Sequence, residues 1–283
     1  MNQKNSICLI IVNYNSDNFA LELIKSIKPN TFKQNLKIII VDNSERKDST
    51  EFFNKIKHSN AVCIKAPKNL GYFGGARHGF NEYKKLSNNI PEYLIVCNSD
   101  VYFKSTEIFE KLINYNYKSD IGVIAPSIIS TQLNADKNPK IINRPTSKTM
   151  HFYKVVFRSR IFQNIYIILH FIKYKLLNLL KKYVSKQNNR NSKSMKNIYA
   201  PHGSFIIFTK FYFLNGGNLK YPCFLFNEEV FVAETVLKLN LKVIYDNQLI
   251  VYDNEHVSTG IFRSKIIANY VAISSKYVAE EYF

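Results

Sequence analysis

Three short polar segments each follow an apolar run that predicts a buried strand. A parallel sheet gathers its ligands beyond the carboxyl ends of its strands, so polar side chains at three such ends can bind one ligand together. A single acid at such a place is more typical of a helix cap or turn, but three polar ends in register favour a binding site. The residues are Asn13, Tyr14 and Asn15, then Asp42, Asn43 and Ser44, and then Asn98, Ser99 and Asp100.

A fourth segment, NLGYFGGARHG at residues 69–79, places four glycines in eleven residues. Glycine allows tight turns and close approach of the backbone to a ligand, which we expect of Gly71, Gly74 and Gly75, with Asn69 fixing the loop. The segment lacks the GxGxxG spacing and follows the third predicted strand, which argues against a nicotinamide or flavin dinucleotide. Arg77 could pair with a diphosphate or with a nearby acid, and both interpretations stay open.

Strands alternate with helices along the chain that must position these segments. Alternation of this kind predicts an α/β fold with a mostly parallel central sheet flanked by helices. Strands are predicted at 7–12, 36–41, 61–64, 93–97, 121–126, 204–208 and 241–245, and helices at 17–27, 49–56, about 75–86 and 228–239. The alternation stops between 131 and 198, and we interpret this stretch as a basic helical insertion.

The net charge of +18 is concentrated in one part of the chain. No Asp or Glu occurs from Lys137 through Asn227, a window that contains seventeen Lys or Arg residues. Within it, residues 161–186 combine apolar, aromatic and basic side chains, which suits the surface of an anionic membrane. An ordinary solvated helical pair is the alternative. Basicity alone is weak evidence for nucleic acid, and we expect none as a partner.

The cysteines and the hydropathy of the chain indicate a reduced, cytosolic protein. The four cysteines are widely spaced and form no CxxC pair, so a disulfide or zinc framework is not expected. No apolar run reaches the ~20 residues that span a bilayer, and the start of the chain lacks the apolar core of a signal peptide. We therefore expect a cytoplasmic protein, with attachment to the inner face of the cell membrane left open.

Five segments in order resemble the inverting family 2 glycosyltransferases with a GT-A fold. The resemblance is strongest to bacterial rhamnosyltransferase-like and galactofuranosyltransferase-like members. Its segments are VNYN at 12–15, VDNS at 41–44, NLGYFGGARHG at 69–79, CNSDV at 97–101 and FLFNEEVFVAE at 224–234. The resemblance implies one catalytic domain, 1–283, with a nucleotide-sugar-binding half at 1–130, the basic apolar insertion at 131–198 and an acceptor-binding half with the catalytic acid at 199–283.

The resemblance also implies the residues that bind the donor. Asp42 matches the position whose carboxylate accepts a hydrogen bond from a pyrimidine base, which implies a UDP- or dTDP-sugar. Residues 98–100, NSD, resemble the DxD motif, with Asn98 in place of the first Asp and Asp100 retained to hold Mg²⁺ or Mn²⁺. The family has Asn where Arg77 stands. The donor-binding residues implied are Asn13, Tyr14, Asn15, Asp42, Asn43, Asn69, Gly71, Gly74, Gly75, Arg77, Asn98 and Asp100.

Glu228 and Glu229 stand where the family has a Glu-Asp pair, whose second acid is the catalytic base. The resemblance assigns this role to Glu229, which would take the proton of the acceptor hydroxyl. Which of the two glutamates acts is left open. An acidic pair at a helix start also complements the helix dipole, and that is the common interpretation of an isolated pair.

Two histidine segments complete the predicted site. His256 resembles the late histidine that completes the metal or diphosphate site in many GT-A enzymes, although a lone histidine is more often structural. His202 and Gly203, in the segment APHGSF, are candidates for contact with the acceptor.

The sequence therefore predicts a glycosyltransferase that moves a sugar from a UDP- or dTDP-linked donor to a growing, lipid-linked glycan of a capsule or O-antigen. A sugar nucleotidyltransferase is one alternative, but it favours a glycine-rich basic loop after the first strand, where this chain has NYNSDN. A membrane-associated glycan-binding protein on a degenerate transferase fold is the other, and the departures at Asn98 and Arg77 support it.

Overall fold

The computed structural model describes residues 6–27, 35–57, 61–87, 89–169, 195–254 and 264–283. The strands are β1 Ile7–Asn13, β2 Leu36–Asp42, β3 Ala61–Lys65, β4 Tyr93–Asn98, β5 Val101–Tyr102, β6 Ile121–Ser130, β7 Ala135–Asp136, β8 Met195–Ile198, β9 Phe205–Thr209 and β10 Lys242–Asp253. The helices are α1 Asp17–Ser26, α2 Thr50–Ile56, α3 Tyr72–Ser87, α4 Glu107–Asn114, α5 Ser147–Val156, α6 at residues 160–169, α7 Lys210–Leu214, α8 Glu228–Lys238 and α9 Lys265–Tyr282.

The strands of the described chain form one mixed sheet in the order β3-β2-β1-β4-β9-β6-β10-β5, with β7 beside β6 and β8 beside β10. The pairs β3–β2, β2–β1, β1–β4 and β6–β10 are parallel. Strand β9 runs antiparallel to both β4 and β6. The predicted α/β fold with a mostly parallel central sheet is therefore confirmed, and β9 is the strand that joins its two parallel parts.

The central strands form because their sequences are continuous apolar runs. Every residue from Ile7 to Ile11 is fully buried, as expected for a strand covered by helices on both faces. Helix α3 packs directly on this part of the sheet, since a Cβ on Gly79 would lie 2.8 Å from Ile10 Cγ2 and 2.9 Å from Val41 Cγ2. Glycine at position 79 therefore sets the close helix–sheet distance.

The described residues divide into two compact units. The first comprises the chain up to Arg144, Met195–Phe224 and the described residues from Glu228 to Asn254, and it contains the sheet. The second comprises 145–169, 225–227 and 264–283, and it contains helices α5, α6 and α9. The division of the chain into functional halves and an insertion stays a prediction.

Some element bounds differ from the predicted ones. Helix α3 begins at Tyr72, not near Gly75, so Gly74 and Gly75 belong to the helix. Strand β10 continues to Asp253, well past the predicted end at 245, because it pairs in turn with β8, β6 and β5. No helix in the described ranges is both long enough and apolar enough to cross a membrane.

Candidate active site

The three polar strand ends lie side by side at one edge of the sheet. The register of β1 and β2 places Asn13 opposite Asp42, and β4, which ends at Asn98, lies on the other side of β1. Since these strands are parallel, the segments that follow them leave the sheet at the same edge. The hydroxyls of Ser16 and Ser99 are 2.6 Å apart, so the loops after β1 and β4 are in contact.

The loop after β1 is built on the buried side chain of Asn13, whose Nδ2 donates to Asp17 Oδ1 at 2.8 Å. Asn15 adopts a left-handed conformation with a φ of 52°, which asparagine tolerates better than most residues. Its N–H donates to Ser44 Oγ at 2.8 Å and so joins the loops after β1 and β2. Tyr14 is exposed and accessible to a ligand.

Asp42 is fully buried, and both oxygens of its carboxylate accept hydrogen bonds. The Ser44 N–H donates to Oδ1 at 3.2 Å, while Arg46 Nε at 3.1 Å, Lys65 Nζ at 3.0 Å and the Ser49 hydroxyl donate to Oδ2. Burial by itself raises the pKa of Asp42, but the hydrogen bonds from Ser49, Ser44 and Lys65 outweigh it and lower the pKa to about 2.

Arg46 and Lys65 are site residues that the sequence reasoning missed. Arg46 pairs with both Asp17 and Asp42, so it bridges the loops after β1 and β2. Both cationic side chains are partly exposed whereas Asp42 is not. A base that hydrogen-bonds to Asp42 must replace one of these donors, and the direct contact predicted for Asp42 stays a prediction. The sequence could have indicated Arg46 as a site residue by its position four residues after Asp42.

Asn43 fixes the glycine-containing loop before α3. Its Nδ2 donates to Asn69 Oδ1 and to the Gly71 carbonyl, both at 3.0 Å, and its Oδ1 accepts from the Leu70 N–H at 2.9 Å. Asn69 Oδ1 also accepts from the Gly71 N–H at 3.1 Å. The prediction that Asn69 fixes this loop agrees with these contacts, and Asn43 acts from the neighbouring strand end.

The glycines of this segment pack closely against other parts of the protein. Gly71 has a left-handed φ of 72°, and a Cβ on it would lie 2.0 Å from the Phe224 carbonyl oxygen. A Cβ on Gly74 would lie 2.9 Å from Leu70 Cβ, and one on Gly75 2.9 Å from Val12 Cγ1. Close approach to the donor at Gly71, Gly74 and Gly75 therefore stays a prediction without an observed contact.

Arg77 projects from α3 into a cavity of about 430 Å³. None of the other predicted donor-binding residues lines this cavity, so the structure does not group Arg77 with them. The described residues that line the cavity include the cations Lys84 and Lys220 and no acid, so the alternative of an acidic partner for Arg77 finds no support among them. Its lining residues are Arg77, Phe80, Asn81, Lys84, Ile90, Phe213, Gly217, Asn218, Leu219 and Lys220.

The NSD segment comprises Asn98, the last residue of β4, and Ser99 and Asp100 in the turn to β5. The Asn98 N–H donates to the Ser204 carbonyl at 3.0 Å, and the Asp100 carbonyl accepts from the Asn254 N–H at 3.0 Å. These bonds place Asp100, whose Oδ1 atom is buried, between the start of β9 and the end of β10. His256, the other predicted metal ligand, lies outside the described residues.

The donor set for a metal ion near this turn is small. Among the residues with described positions, no group of three or more His, Cys, Asp or Glu could hold a metal ion. Asp253 is close by in β10, but its Oδ2 accepts from Lys137 Nζ at 2.9 Å. Asp100 alone fits Mg²⁺ or Mn²⁺ only if a bound diphosphate supplies further oxygens.

Glu228 and Glu229 form the first turn of α8, as predicted. Glu228 is buried, whereas Glu229 is partly exposed. Glu229 Oε2 lies 3.9 Å from the position that a Cβ would occupy on Gly203. The structure therefore brings Glu229 next to a residue predicted to contact the acceptor, and its partial exposure leaves the carboxylate accessible.

Tyr72 is a second residue that the sequence reasoning missed. Its hydroxyl donates to the Gly203 carbonyl at 2.7 Å, across 131 positions of the chain. Burial raises the pKa of Tyr72, and the electrostatic influence of Cys97, Glu228 and Asp100 adds to the rise. Tyr72 thus joins the segment NLGYFGGARHG to Gly203, the residue next to Glu229, and its place in that segment was the available sequence signal.

His202 is held as a neutral side chain in the segment before β9. Its Nδ1 accepts from the Ser204 N–H at 3.2 Å, and its own N–H donates to Asn138 Oδ1 at 2.8 Å. Burial, together with the nearby cations Lys140 and Lys137, lowers the pKa of His202 to about 3. A neutral imidazole can offer one hydrogen-bond donor and one acceptor, but contact with an acceptor substrate stays a prediction.

The low pKa of His202 predicts a loss of stability in mild acid. A histidine in the unfolded chain titrates near pH ~6.5. Between pH ~6.5 and ~3 the unfolded state therefore binds more protons than the folded state, and the free energy of unfolding decreases as the pH is lowered. We expect a loss of about 1–2 kcal/mol between pH ~6.5 and ~4.5 in the wild type, and a flatter profile for His202→Asn. Urea unfolding across this pH range measures it. If the free energies of unfolding of the wild type and His202→Asn depend on pH in the same way, the low pKa of His202 is wrong.

The mixed α/β sheet, the polar strand ends and the acids at the start of α8 are features of a nucleotide-sugar-dependent transferase. Residues 8–213 match the profile of Glycosyl transferase family 2, and the chain therefore belongs to this family. A stretch of 106 residues is 31% identical to the UDP-Glc:alpha-D-GlcNAc-diphosphoundecaprenol beta-1,3-glucosyltransferase WfaP of Escherichia coli. That stretch spans 38% of this chain and 39% of the relative's length.

Two solved structures share the fold at low sequence identity. The crystal structure of GalNAc-T7 with UDP, GalNAc and Mn²⁺ superposes with a TM-score of 0.53 at 10% identity, over 90% of this chain and 44% of that one. The mannosyltransferase PcManGT from Pyrobaculum calidifontis, in complex with GDP-Man and Mn²⁺, gives 0.52 at 10% identity, over 99% of this chain and 74% of that one. These similarities confirm the GT-A fold.

Proposed function

We propose that this protein is an inverting glycosyltransferase that transfers rhamnose, galactofuranose or a hexose from a UDP- or dTDP-linked donor to a growing, lipid-linked glycan of a capsule or O-antigen. The observation that carries the proposal is the position of Glu229 in a family 2 chain, with its Oε2 3.9 Å from the Cβ position on Gly203. The Gly203 carbonyl accepts from the Tyr72 hydroxyl, and the carbonyl of the next residue, Ser204, accepts from the N–H of Asn98 in the NSD segment. The name of the Escherichia coli relative, which includes a UDP-sugar and a diphosphoundecaprenol-linked acceptor, supports this choice of substrates.

Glu229 is the base in this proposal, and its accessibility supports it over Glu228. Glu228 is buried, whereas Glu229 is partly exposed and faces Gly203. A general base must come within hydrogen-bond reach of the hydroxyl whose proton it takes, and a partly exposed carboxylate can do so. Glu228 then serves to shape the start of α8 and the field around Tyr72.

The proposed reaction is a single displacement at the anomeric carbon. The acceptor oxygen forms a bond to that carbon on the face opposite the diphosphate, its proton passes to the Glu229 carboxylate, and the bond from the carbon to the diphosphate oxygen breaks. The electron pair of that bond leaves with the nucleoside diphosphate. Attack from the opposite face inverts the configuration of the sugar.

Asp100 and His256 are the residues that we propose to hold a divalent cation together with the donor's diphosphate. Carboxylate and phosphate oxygens are the ligands that Mg²⁺ and Mn²⁺ prefer, and a cation there stabilises the charge of a leaving diphosphate. The Mn²⁺ in the complexes of the two structurally similar proteins supports this choice of cofactor. Asn98, in place of an acid, leaves Asp100 as the carboxylate of the NSD segment.

Calorimetry with UDP and dTDP tests the donor site. We expect the wild type to bind one of the two nucleotides in the presence of Mn²⁺. Asp100→Asn should weaken this binding by at least ~10-fold, because it removes a charged metal ligand and mutation of even an outer-shell partner of a metal costs about 10–100-fold. Asp120→Asn is the matched control. Asp120 lies just before β6 and pairs with the exposed Lys242, so its loss leaves the affinity unchanged.

The result distinguishes the enzyme from the glycan-binding alternative. Absence of binding for both nucleotides, with and without Mn²⁺, would contradict the transferase proposal and favour a glycan-binding protein on a transferase fold. Binding that is insensitive to Asp100→Asn would retain the nucleotide site and overturn the assigned metal ligand.

A further inference from the structure

The amphipathic helix α6 in the second unit turns its apolar side to solvent. Its exposed apolar residues follow the spacing i, i+1, i+4, i+7 and i+8, which places them on one stripe of a helix. Between 42% and 70% of each side chain is exposed, and the residues are Ile161, Phe162, Ile165, Ile168 and Leu169. We refer to these five residues as the α6 stripe.

The opposite side of α6 faces the interior of the unit and is partly polar. Gln163 is fully buried there, and its Nε2 donates to the Phe157 carbonyl at 2.6 Å and to the Ala268 carbonyl at 2.8 Å. Tyr166 packs edge-on against the rings of Tyr153 and Phe157. A helix of a water-soluble domain normally buries its apolar stripe, so the exposed stripe of α6 departs from the usual arrangement.

Positive charge accompanies the exposed apolar side chains. The described residues of this unit include six Lys or Arg and two Glu. Arg158 and Arg160 are exposed at the start of α6, and Glu280, one of the two acids, pairs with Lys154 at 2.7 Å. Helix α5 exposes two further large apolar side chains, Phe152 and Val155.

We propose that the α6 stripe inserts into the surface of an anionic lipid bilayer, with α6 lying in the plane of the interface. Exposed apolar residues on a cationic helical unit are the features of interfacial helices, whose apolar face enters the boundary between headgroups and acyl chains. The positive charge favours anionic lipid over a second copy of this chain, because two copies of the same cationic surface repel each other. The inference does not depend on the proposed transferase activity.

Flotation with lipid vesicles tests binding in the absence of any sugar. We expect the full chain to float with phosphatidylcholine vesicles that contain phosphatidylglycerol, and more weakly with phosphatidylcholine alone. The triple variant Ile161→Gln, Phe162→Gln, Ile165→Gln should lose about 100-fold in partitioning, because each inserted apolar side chain contributes about fivefold. All three side chains are 45–70% exposed, so the substitutions remove little buried packing, and circular dichroism checks the fold.

A matched control distinguishes binding through the α6 stripe from non-specific adsorption of exposed apolar side chains. The triple variant Ile142→Gln, Leu214→Gln, Leu237→Gln changes apolar residues of the first unit with comparable exposure, 61%, 63% and 47%. It should float like the wild type. Flotation of the stripe variant at the wild-type level, or complete loss of wild-type flotation in high salt, would overturn insertion in favour of purely electrostatic attraction. Self-association of the wild type without lipid that the stripe variant abolishes would identify a second copy as the occupant.

Fluorescence gives an independent measurement because the chain contains no tryptophan. Phe162→Trp should shift its emission to the blue on addition of the anionic vesicles and be quenched by brominated acyl chains. Leu214→Trp, exposed in the first unit, should show neither effect. Equal spectra for Phe162→Trp with and without vesicles would overturn the proposal.

Discussion

Glu229→Gln is expected to lower the rate of sugar transfer by about 10²–10⁴-fold, the contribution typical of a general base. Glutamine keeps the size of the side chain but cannot accept the proton of the acceptor hydroxyl. Because Glu229 is partly exposed and belongs to the first unit's α8, the fold and the affinity for the donor nucleotide should be unchanged. Release of nucleoside diphosphate from a panel of UDP- and dTDP-sugars with a polyprenyl diphosphate-linked acceptor measures the rate.

Two further variants on α8 test whether the loss of rate is specific to the carboxylate of Glu229. Glu229→Asp keeps the carboxylate but shortens its reach by one methylene, so its rate should lie between those of the wild type and Glu229→Gln. Glu234→Gln removes an acid of the same helix that bonds Tyr199 at 2.6 Å and Arg144 at 2.8 Å, and it should retain the rate per folded molecule. A Glu229→Gln enzyme with the wild-type rate would reassign the base, with Glu228 as the next candidate.

Gly71→Ala is expected to lower the free energy of unfolding by about 3–5 kcal/mol, which is a large part of the stability of a typical domain. A Cβ at this position would lie 2.0 Å from the Phe224 carbonyl oxygen, and the φ of 72° is strained for alanine. The loop cannot shift freely, because Asn43 and Asn69 hold Gly71 by hydrogen bonds to its carbonyl and N–H. Urea unfolding followed by circular dichroism measures the change.

Gly203→Ala provides the comparison for stability. Its new Cβ would meet Glu229 Oε2 at 3.9 Å, an ordinary contact distance, so the unfolding free energy should change by less than about 0.5 kcal/mol. If Gly71→Ala and Gly203→Ala unfold at the same urea concentration, the packing role of Gly71 is wrong.

The sequence by itself determined the strands and the polar edge of the sheet. Buried strands are continuous apolar runs, and the residue that ends each run is local information, so the apolar pattern alone places Asn13, Asp42 and Asn98 at strand ends. The sequence also indicated the acids at the start of α8, because Glu228 and Glu229 are the first acids after a long acid-free stretch.

The tertiary structure decided which side chains meet, since contacts between distant positions are fixed by packing and leave little local pattern. The bond from Tyr72 to Gly203 spans 131 positions, and Lys65 reaches Asp42 across 23. The Phe224 carbonyl over Gly71 gives that glycine a packing role which its neighbours in sequence cannot reveal. The exposure of the α6 stripe was also undecided, because a helical pattern shows that an apolar side exists but not whether the fold covers it.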